Sequence, residues 1–225
     1  MAPGVRAHLW LRDAVVTNGI TRRWSQPLAA LASAQRQVGQ QGRMVDIRPL
    51  DAIDRAFLEE MLFEAFFWDP AWPRPTLAEF RDHPEFTKLL ADWGRPGDRG
   101  VVAEEQQSKT GAAWFRLWTA ELHSYGFVDA ETPELGIAVA SAHRSKGVGR
   151  TLLRALIEIA RADGHPALSL SVSPSNYARS FYESEGFHKV GESGTSWTLL
   201  LQFDRAPHEA AAQPSTATDE PLGQS

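Results

Sequence analysis

The segment RSKGVG, residues 144–149, places Arg144, Lys146, Gly147 and Gly149 within six positions, with Ser145 and Val148 between them and Arg150 directly after. It separates an apolar run, ELGIAVA (134–140), from RTLLRALIEIARADG (150–164), which has a helical period. A strand, a glycine-bearing turn and a helix start together make an anion site. The first N–H groups of a helix have no internal partner, and its dipole adds positive charge there. The two glycines let the main chain approach a ligand closely, and the three cations add charge. A Walker loop would need Gly-x4-Gly-Lys-Ser/Thr, which is absent. A dinucleotide fingerprint would need a third glycine where Leu152 stands, and an acid where the next strand ends at Ser173. Taken alone, the hexapeptide reads as a glycine-containing surface turn; its surroundings change that reading.

Period and punctuation define the elements that must hold this loop. From Met44, VDIRPL alternates as a short strand. Ile53, Phe57, Met61 and Ala65, with Leu58, Leu62 and Phe66 beside them, predict an amphipathic helix over 52–66. Three prolines in FWDPAWPRP end it. Thr76 and Glu79 form a capping box for a second helical stretch, TLAEF; Pro84 restarts the helix and Gly94 caps its end. A hairpin follows, VVAEEQ and AAWFRLWTA joined through QSKTG, then the irregular ELHSYGFVDAETP. In the helix after the loop, Leu152, Leu153, Leu156, Ile157 and Ala160 line one side, Arg150, Arg154, Glu158 and Arg161 the other, and Gly164 with Pro166 ends it. ALSLSVS alternates strictly, a short helix spans about Asn176 to Glu185, and FHKVGES with SWTLLLQF closes a second hairpin.

Composition narrows the function. The 225 residues carry 23 Lys and Arg against 28 Asp and Glu, a net charge of −5 that excludes a generally basic nucleic-acid surface. Six Arg and one acid, Asp13, fall in residues 1–43, leaving 17 of the bases and 27 of the acids to the rest. An acidic body with a local cationic loop predicts a small anionic ligand held at one place. With no cysteine, disulfides, thiolate metal ligands and a Cys-bound acyl-enzyme are impossible, which fits a soluble, cytoplasmic protein. The apolar runs fall short of a membrane span, and Arg12 and Asp13 interrupt the one stretch near the start that could serve as a signal. Residues 1–43 also have the Arg-rich composition of a transit peptide, but Arg outnumbers Lys by 19 to 4 throughout, so the bias is general. They read as a disordered or non-native extension, in which HLWLRD matches a His-x4-Asp pattern by chance. Residues 44–205 read as one folded domain and 206–225 as a disordered tail.

Taken together, ELGIAVASAHRSKGVGRTLLRALIEIARADG, ALSLSVS and SNYARSFYESEGF resemble the Gcn5-related N-acetyltransferase (GNAT) family. Its signature is Arg/Gln-x-x-Gly-x-Gly/Ala opening a helix, then a strand, then Asn-x-x-Ala with an aromatic-Tyr-Glu and a Gly-Phe. This chain supplies Arg144, Gly147 and Gly149, then Asn176, Ala178, Phe181, Tyr182, Glu183, Gly186 and Phe187. The order of elements from Met44 to about Asp204 matches as well. The resemblance implies an α/β (α+β) fold: a single mixed, mostly antiparallel sheet of six to seven strands, helices on both faces, and a parallel strand pair splayed at the cofactor site. It implies acetyl-coenzyme A as co-substrate and no metal. The pyrophosphate would lie on Arg144, Ser145, Lys146, Gly147, Val148, Gly149 and Arg150, and the pantetheine would pair with the backbone of Ile137, Ala138 and Val139 as an added strand. Asn176 would touch the cofactor near the same gap; a helix N-terminal role is an equal reading of it.

Acetyl transfer to an amine needs a deprotonated amine, a stabilised oxyanion and a proton for the departing thiolate. No Gly-x-Ser-x-Gly elbow and no His-x3-Asp motif is present, so direct attack in a ternary complex is the simplest route. By the resemblance Tyr182 is the general acid, since a phenol of pKa ~10 is protonated at neutral pH. A core tyrosine packed against Ala178 is the alternative. The family's base stands either at the start of the strand before the loop, where this chain has Glu134, or in the strand after the helix, where it has Ser171. Glu134 is the choice, with Asp129, His123 or a water chain as alternatives. A backbone N–H of 137–139 would serve the oxyanion. The family walls its acceptor side with the first helices and the loop between them, here FEAFFWDPAWPRP faced by HSYGFVD. Trp68, Trp72, Tyr125 and Phe127 are candidates for a pocket taking an amine of apolar or aromatic character, with Asp69 and Asp129 attracting its cationic form; the same rings could equally be core. The expectation is an N-acetyltransferase acting on a primary amine, of a small molecule or a protein N-terminus. It would be a monomer or homodimer with no nucleic-acid or membrane partner. The rival is an acyl-coenzyme A-sensing domain of the same fold that transfers nothing, against which Tyr182 argues.

Overall fold

Reciprocal caps start the first helices. Asp51 accepts the Ala52 N–H at 2.5 Å and Asp54 Oδ2 accepts the Asp51 N–H at 3.0 Å, which satisfies donors that have no helical partner. The 3-10 turn Ala52–Asp54 leads into α1 (Arg55–Phe66). The predicted Thr76/Glu79 box caps α2 (Leu77–Asp82), and Pro84 opens α3 (Pro84–Leu90). After the glycine loop comes α4 (Val148–Ala162), and a short α5 (Ala178–Ser184) follows later. Helix α4 stops at Gly164, whose φ of +79° suits glycine; its N–H reaches Arg161 O at 3.0 Å and the His165 N–H reaches Ala160 O at 3.0 Å.

A computed structural model describes residues 35–38 and 44–204. Its strands are β1 (Gln35–Val38), β2 (Met44–Pro49), β3 (Arg99–Glu105), β4 (Ser108–Arg116), β5 (Glu134–Val139), β6 (Ala167–Val172), β7 (His188–Ser193) and β8 (Ser196–Gln202). They form one mixed sheet in the order β1-β2-β3-β4-β5-β6-β8-β7, antiparallel except between β5 and β6. The sequence reading counted six to seven strands. The eighth is β1, which pairs antiparallel with β2 and falls in the span assigned to the extension. The remainder of 1–43, HLWLRD included, and the tail beyond 204 lie outside the described residues.

The β3–β4 connection is tighter than QSKTG suggested. Gln106 and Gln107 alone make it, both at positive φ (50° and 67°), so the turn matches the right-handed twist of its strands. Strand β4 is buried from Thr110 to Arg116 because helices cover both faces of the sheet. Ala113 and Phe115 face the cluster built on α4, while Ala112 and Trp114 face the cluster built on α1, α2 and α3. That two-sided burial is why its sequence reads as a continuous apolar run.

Candidate active site

The site starts where the sheet comes apart. Strands β5 and β6 meet at one bridge, Glu134 opposite Ser169, where the Ser169 N–H donates to Pro133 O at 3.0 Å. Backbone groups alternate edges along a strand, so those of Ile137 and Val139 point toward β6 after it has diverged. Val139 O is met there by Arg144 Nε at 3.0 Å. Ala138 lies in register with Ala112 of β4 on the other edge. A cavity of about 900 Å³ follows the gap; both strands, the glycine loop, α5 and the aromatic segment after α1 line it.

The loop forms the predicted helix start. Gly147, at φ +86°, is the N-cap of α4, and the left-handed to right-handed step into Val148 turns successive N–H groups to one side, as in anion-binding nests. Ser145 is also left-handed, at φ 59°. Gly149 is different. Its φ is ordinary, and an added Cβ would meet only Val139 Cγ2, at 3.6 Å. No protein contact therefore demands glycine at 149. The cations of the loop are engaged within the protein. Arg144 donates to Glu64 Oε2 at 2.8 Å, Lys146 Nζ to Ala142 O at 2.6 Å, and Arg150 pairs with Glu185. Arg144, Ser145, Gly147, Gly149 and Arg150 line the cavity, whereas the Val148 side chain is in the core. Asn176 lines it too, with Oδ1 accepting the Ala178 N–H at 2.8 Å, so it also performs the helix-start role.

Glu134 is buried at the narrow end of the gap. Its Oε1 accepts the Gly126 N–H at 2.8 Å, and Oε2 has no hydrogen-bond partner among the described residues. Burial pushes its pKa up to about 7, partly opposed by the Gly126 N–H and the Ser124 side chain. A buried carboxyl group that lines a cavity and titrates near neutrality is suited to general-base work. The glycine that holds it is itself constrained: a Cβ on Gly126 would lie 2.6 Å from Leu170 C and 2.7 Å from Ser171 N of β6.

Tyr182 is buried, lines the same cavity and packs with Phe187 and Ala178 in the α4 cluster. Burial holds its phenol well above the usual range, so it is protonated at neutral pH and able to donate. Both readings of this residue, core ring and hydroxyl facing the cavity, fit its position.

Trp68, Trp72 and Tyr125 line the cavity on the side of the segment after α1. Trp68 lies edge-on to Trp72 (5.2 Å between centroids) and to Tyr177 (6.1 Å). Tyr125 donates to Glu85 Oε2 at 3.2 Å, and burial beside that carboxylate pushes its pKa up to about 12. Phe127 is not among the lining residues; it packs in the α1–α3 cluster and stacks on His123. Asp69 and Asp129 accept backbone N–H groups two or three residues on, as short-range turn caps, and His123 is exposed. Four further residues line the site; Phe181 is marked by the aromatic-Tyr-Glu motif, the other three by no local signal. Glu64 is held between Arg144 and Arg74 (2.5 Å), Tyr177 and Phe181 line the α5 side, and Trp114 forms floor beneath Gly136. Ser171 lines the cavity where the family's second base position falls.

Among the described residues no cluster of three metal-ligating side chains occurs, and no helix is long and apolar enough to cross a membrane. The fold has solved counterparts. The PaiA N-acetyltransferase of Thermoplasma acidophilum, solved in complex with coenzyme A, superposes with a TM-score of 0.55 at 18% identity, covering 71% of this chain and 99% of that one. The Salmonella typhimurium protein yncA, solved with its cofactor acetyl-CoA, gives 0.52 at 25% identity over 74% of this chain and 98% of its own. The mouse N-acetyltransferase family 8 member 3 is 32% identical over 74 residues, 32% of each chain, so the match spans about a third of that relative's length. The model of the acetyltransferase (GNAT) family matches residues 56–187, more than half of the sequence, and the chain belongs to that family.

Proposed function

We propose that the protein is an acetyl-coenzyme A-dependent N-acetyltransferase acting on a primary amine by direct attack in a ternary complex. One observation carries the reading: a protonated phenol, a buried carboxyl group with one unengaged oxygen, and a glycine-bearing helix start line a single cavity along a splayed strand pair. The residues fit the cofactor. The amides of 144–150 would hold its pyrophosphate, the open space at Gly149 would admit it closely, and the gap-facing backbone of Ile137 and Val139 would pair with its amides. Asn176 and Tyr182 would lie along the same path.

Bound acetyl-coenzyme A supplies an acetyl group on a thioester. Glu134, directly or through a water, takes a proton from the acceptor ammonium so that its nitrogen lone pair can form the new C–N bond. Tyr182 gives its hydroxyl proton to the sulfur as the C–S bond breaks, and is reprotonated by the second proton that the nitrogen sheds once the C–N bond has formed. A backbone N–H of the 137–139 strand stabilises charge on the carbonyl oxygen. The net products are an N-acetylated amine, free coenzyme A and one proton. An acidic chain without cysteine suits a cytoplasmic enzyme with neither nucleic-acid nor membrane partners.

The test is Tyr182→Phe, measured for melting temperature, acetyl-coenzyme A affinity and saturating turnover. Turnover should fall by about 10²–10⁴, with affinity and folding little changed. Near wild-type turnover would remove Tyr182 from the chemistry, and failure of the wild-type protein to bind acetyl-coenzyme A would refute the whole reading.

A further inference from the structure

The acceptor end of the cavity has an uneven chemistry. Its rings come from two sides: Trp68 and Trp72 follow α1, Tyr177 precedes α5, and the three form an edge-to-face chain across the opening. Trp72 and Tyr177 leave 43% and 62% of their surface exposed, which places large apolar faces at the mouth of a cavity. The charged groups tell a complementary story. Three arginines and one histidine line the cavity, and each already faces an acid. Arg116 forms a two-pronged pair with Asp98 (2.9 and 2.6 Å), Arg144 pairs with Glu64, Arg150 pairs with Glu185, and His143 lies 3.4 Å from Glu105. Among the lining residues, then, no described cation remains to receive an anionic group on the acceptor. Glu64 is likewise saturated by Arg74 and Arg144, which leaves Glu134 as the lining acid without an ion-pair partner among the described residues.

Resting on the proposed acetyl transfer, we infer that the acceptor is an arylalkylamine: a cationic amine with an aromatic flank and no carboxylate on its amine-bearing carbon. Geometry imposes the exclusion. The reacting nitrogen must come within proton-transfer reach of Glu134, which lies at the buried end of the gap. A carboxylate one carbon away would be drawn into the same end, beside a like charge, where Lys88, the cation whose field reaches Glu134, is already paired with Glu85 at 2.9 Å. An aromatic flank extends the other way, toward the mouth, where Trp72 and Tyr177 offer ring faces and edges, and where the ammonium form is attracted as it enters. An unsubstituted alkylamine meets the exclusion but gains nothing from the rings.

The experiment compares 2-phenylethylamine with phenylalanine and n-butylamine, with acetyl-coenzyme A affinity measured alongside. 2-Phenylethylamine should exceed phenylalanine in kcat/KM by about a hundredfold or more, the scale of an unpaired buried charge, and should exceed n-butylamine by roughly tenfold. Trp72→Ala combined with Tyr177→Ala should collapse the second ratio and leave the first. Equal or better use of phenylalanine would overturn the inference, as would an aryl preference that survives the double variant. Each of those results leaves the acetyltransferase reading standing, whereas absence of acetyl-coenzyme A binding would remove both.

Discussion

Replacing Gly149 by alanine should make the protein more stable and a poorer binder. Residue 149 is the second residue of α4, with φ outside the positive region, so alanine adopts its backbone without strain. The new methyl would meet Val139 Cγ2 at 3.6 Å, an ordinary contact, and no other atom within 4 Å. Alanine also restricts the unfolded chain more than glycine does. The unliganded protein should therefore gain about 0.4–1 kcal/mol, which in a domain of this size raises Tm by roughly 1–4 °C. The same methyl stands where the pyrophosphate cradle should be open. Overfilling a fitted site costs about 1–3 kcal/mol, or roughly 5- to 150-fold in Kd. Gly147→Ala is the contrast, because its φ of +86° strains any side chain; it should lose both stability and affinity. Calorimetric melting without ligand and titration with acetyl-coenzyme A read the two effects separately. A Gly149→Ala variant that melts lower than the parent, or binds acetyl-coenzyme A as tightly, would falsify the claim that this glycine serves a ligand.

The remaining expectations concern the base, the floor and the buried ion pair. Because Glu134 titrates at about 7, turnover should rise through neutral pH as it ionises, and Glu134→Gln should lower turnover by about 10²–10⁴. Stability runs the other way. From the ordinary value of 4.5 up to about 7 the folded protein keeps a proton the unfolded chain has lost, so stability falls by about 3 kcal/mol across that window. Melting curves of the Gln variant should lack that slope and exceed wild type at pH 8. Gly136→Ala puts a Cβ 2.6 Å from Trp114 Cε2 and Cζ2, and should cost about 1–3 kcal/mol in denaturant unfolding with a change in tryptophan fluorescence. Arg116→Met leaves Asp98 buried without its partner and should cost about 3–5 kcal/mol, most of it recovered by adding Asp98→Leu.

The cofactor half of the molecule was legible because it is local. Strand β5, the loop, α4, β6 and α5 follow one another within 51 positions (134–184), and the loop and α4 carry their own signals, from Gly147 to the stop at Gly164. The acceptor half resisted because its geometry depends on residues far apart in the chain. Glu64 and Arg144 are 80 positions apart, and Arg116 and Asp98 take their roles from burial rather than from any motif. Asp69 and Asp129 looked like substrate acids, but short aspartates close to backbone N–H groups cap turns more readily than they wait in solvent. The Gln106–Gln107 turn carries no sequence signal because glutamine is not a usual residue for two positive-φ positions. Glu134 was chosen by resemblance alone; its raised affinity for a proton comes from burial under Gly126, which no spacing reveals.

The single bridge between Glu134 and Ser169 also has a mechanical meaning. It divides the ladder into a five-strand part, β1 to β5, and a three-strand part, β6, β8 and β7. Backbone pairing is continuous within each part and nearly absent between them. What joins the two is side-chain packing, chiefly the apolar face of α4, whose cluster takes in Phe115 and Leu135 on one side and Leu168 and Leu170 on the other. Such a seam opens by loosening apolar contacts rather than by breaking a row of hydrogen bonds, so the two parts can behave as separate cooperative units. The amides of Ile137 and Val139 that face the seam then exchange with solvent far sooner than those locked inside the β3–β4 ladder.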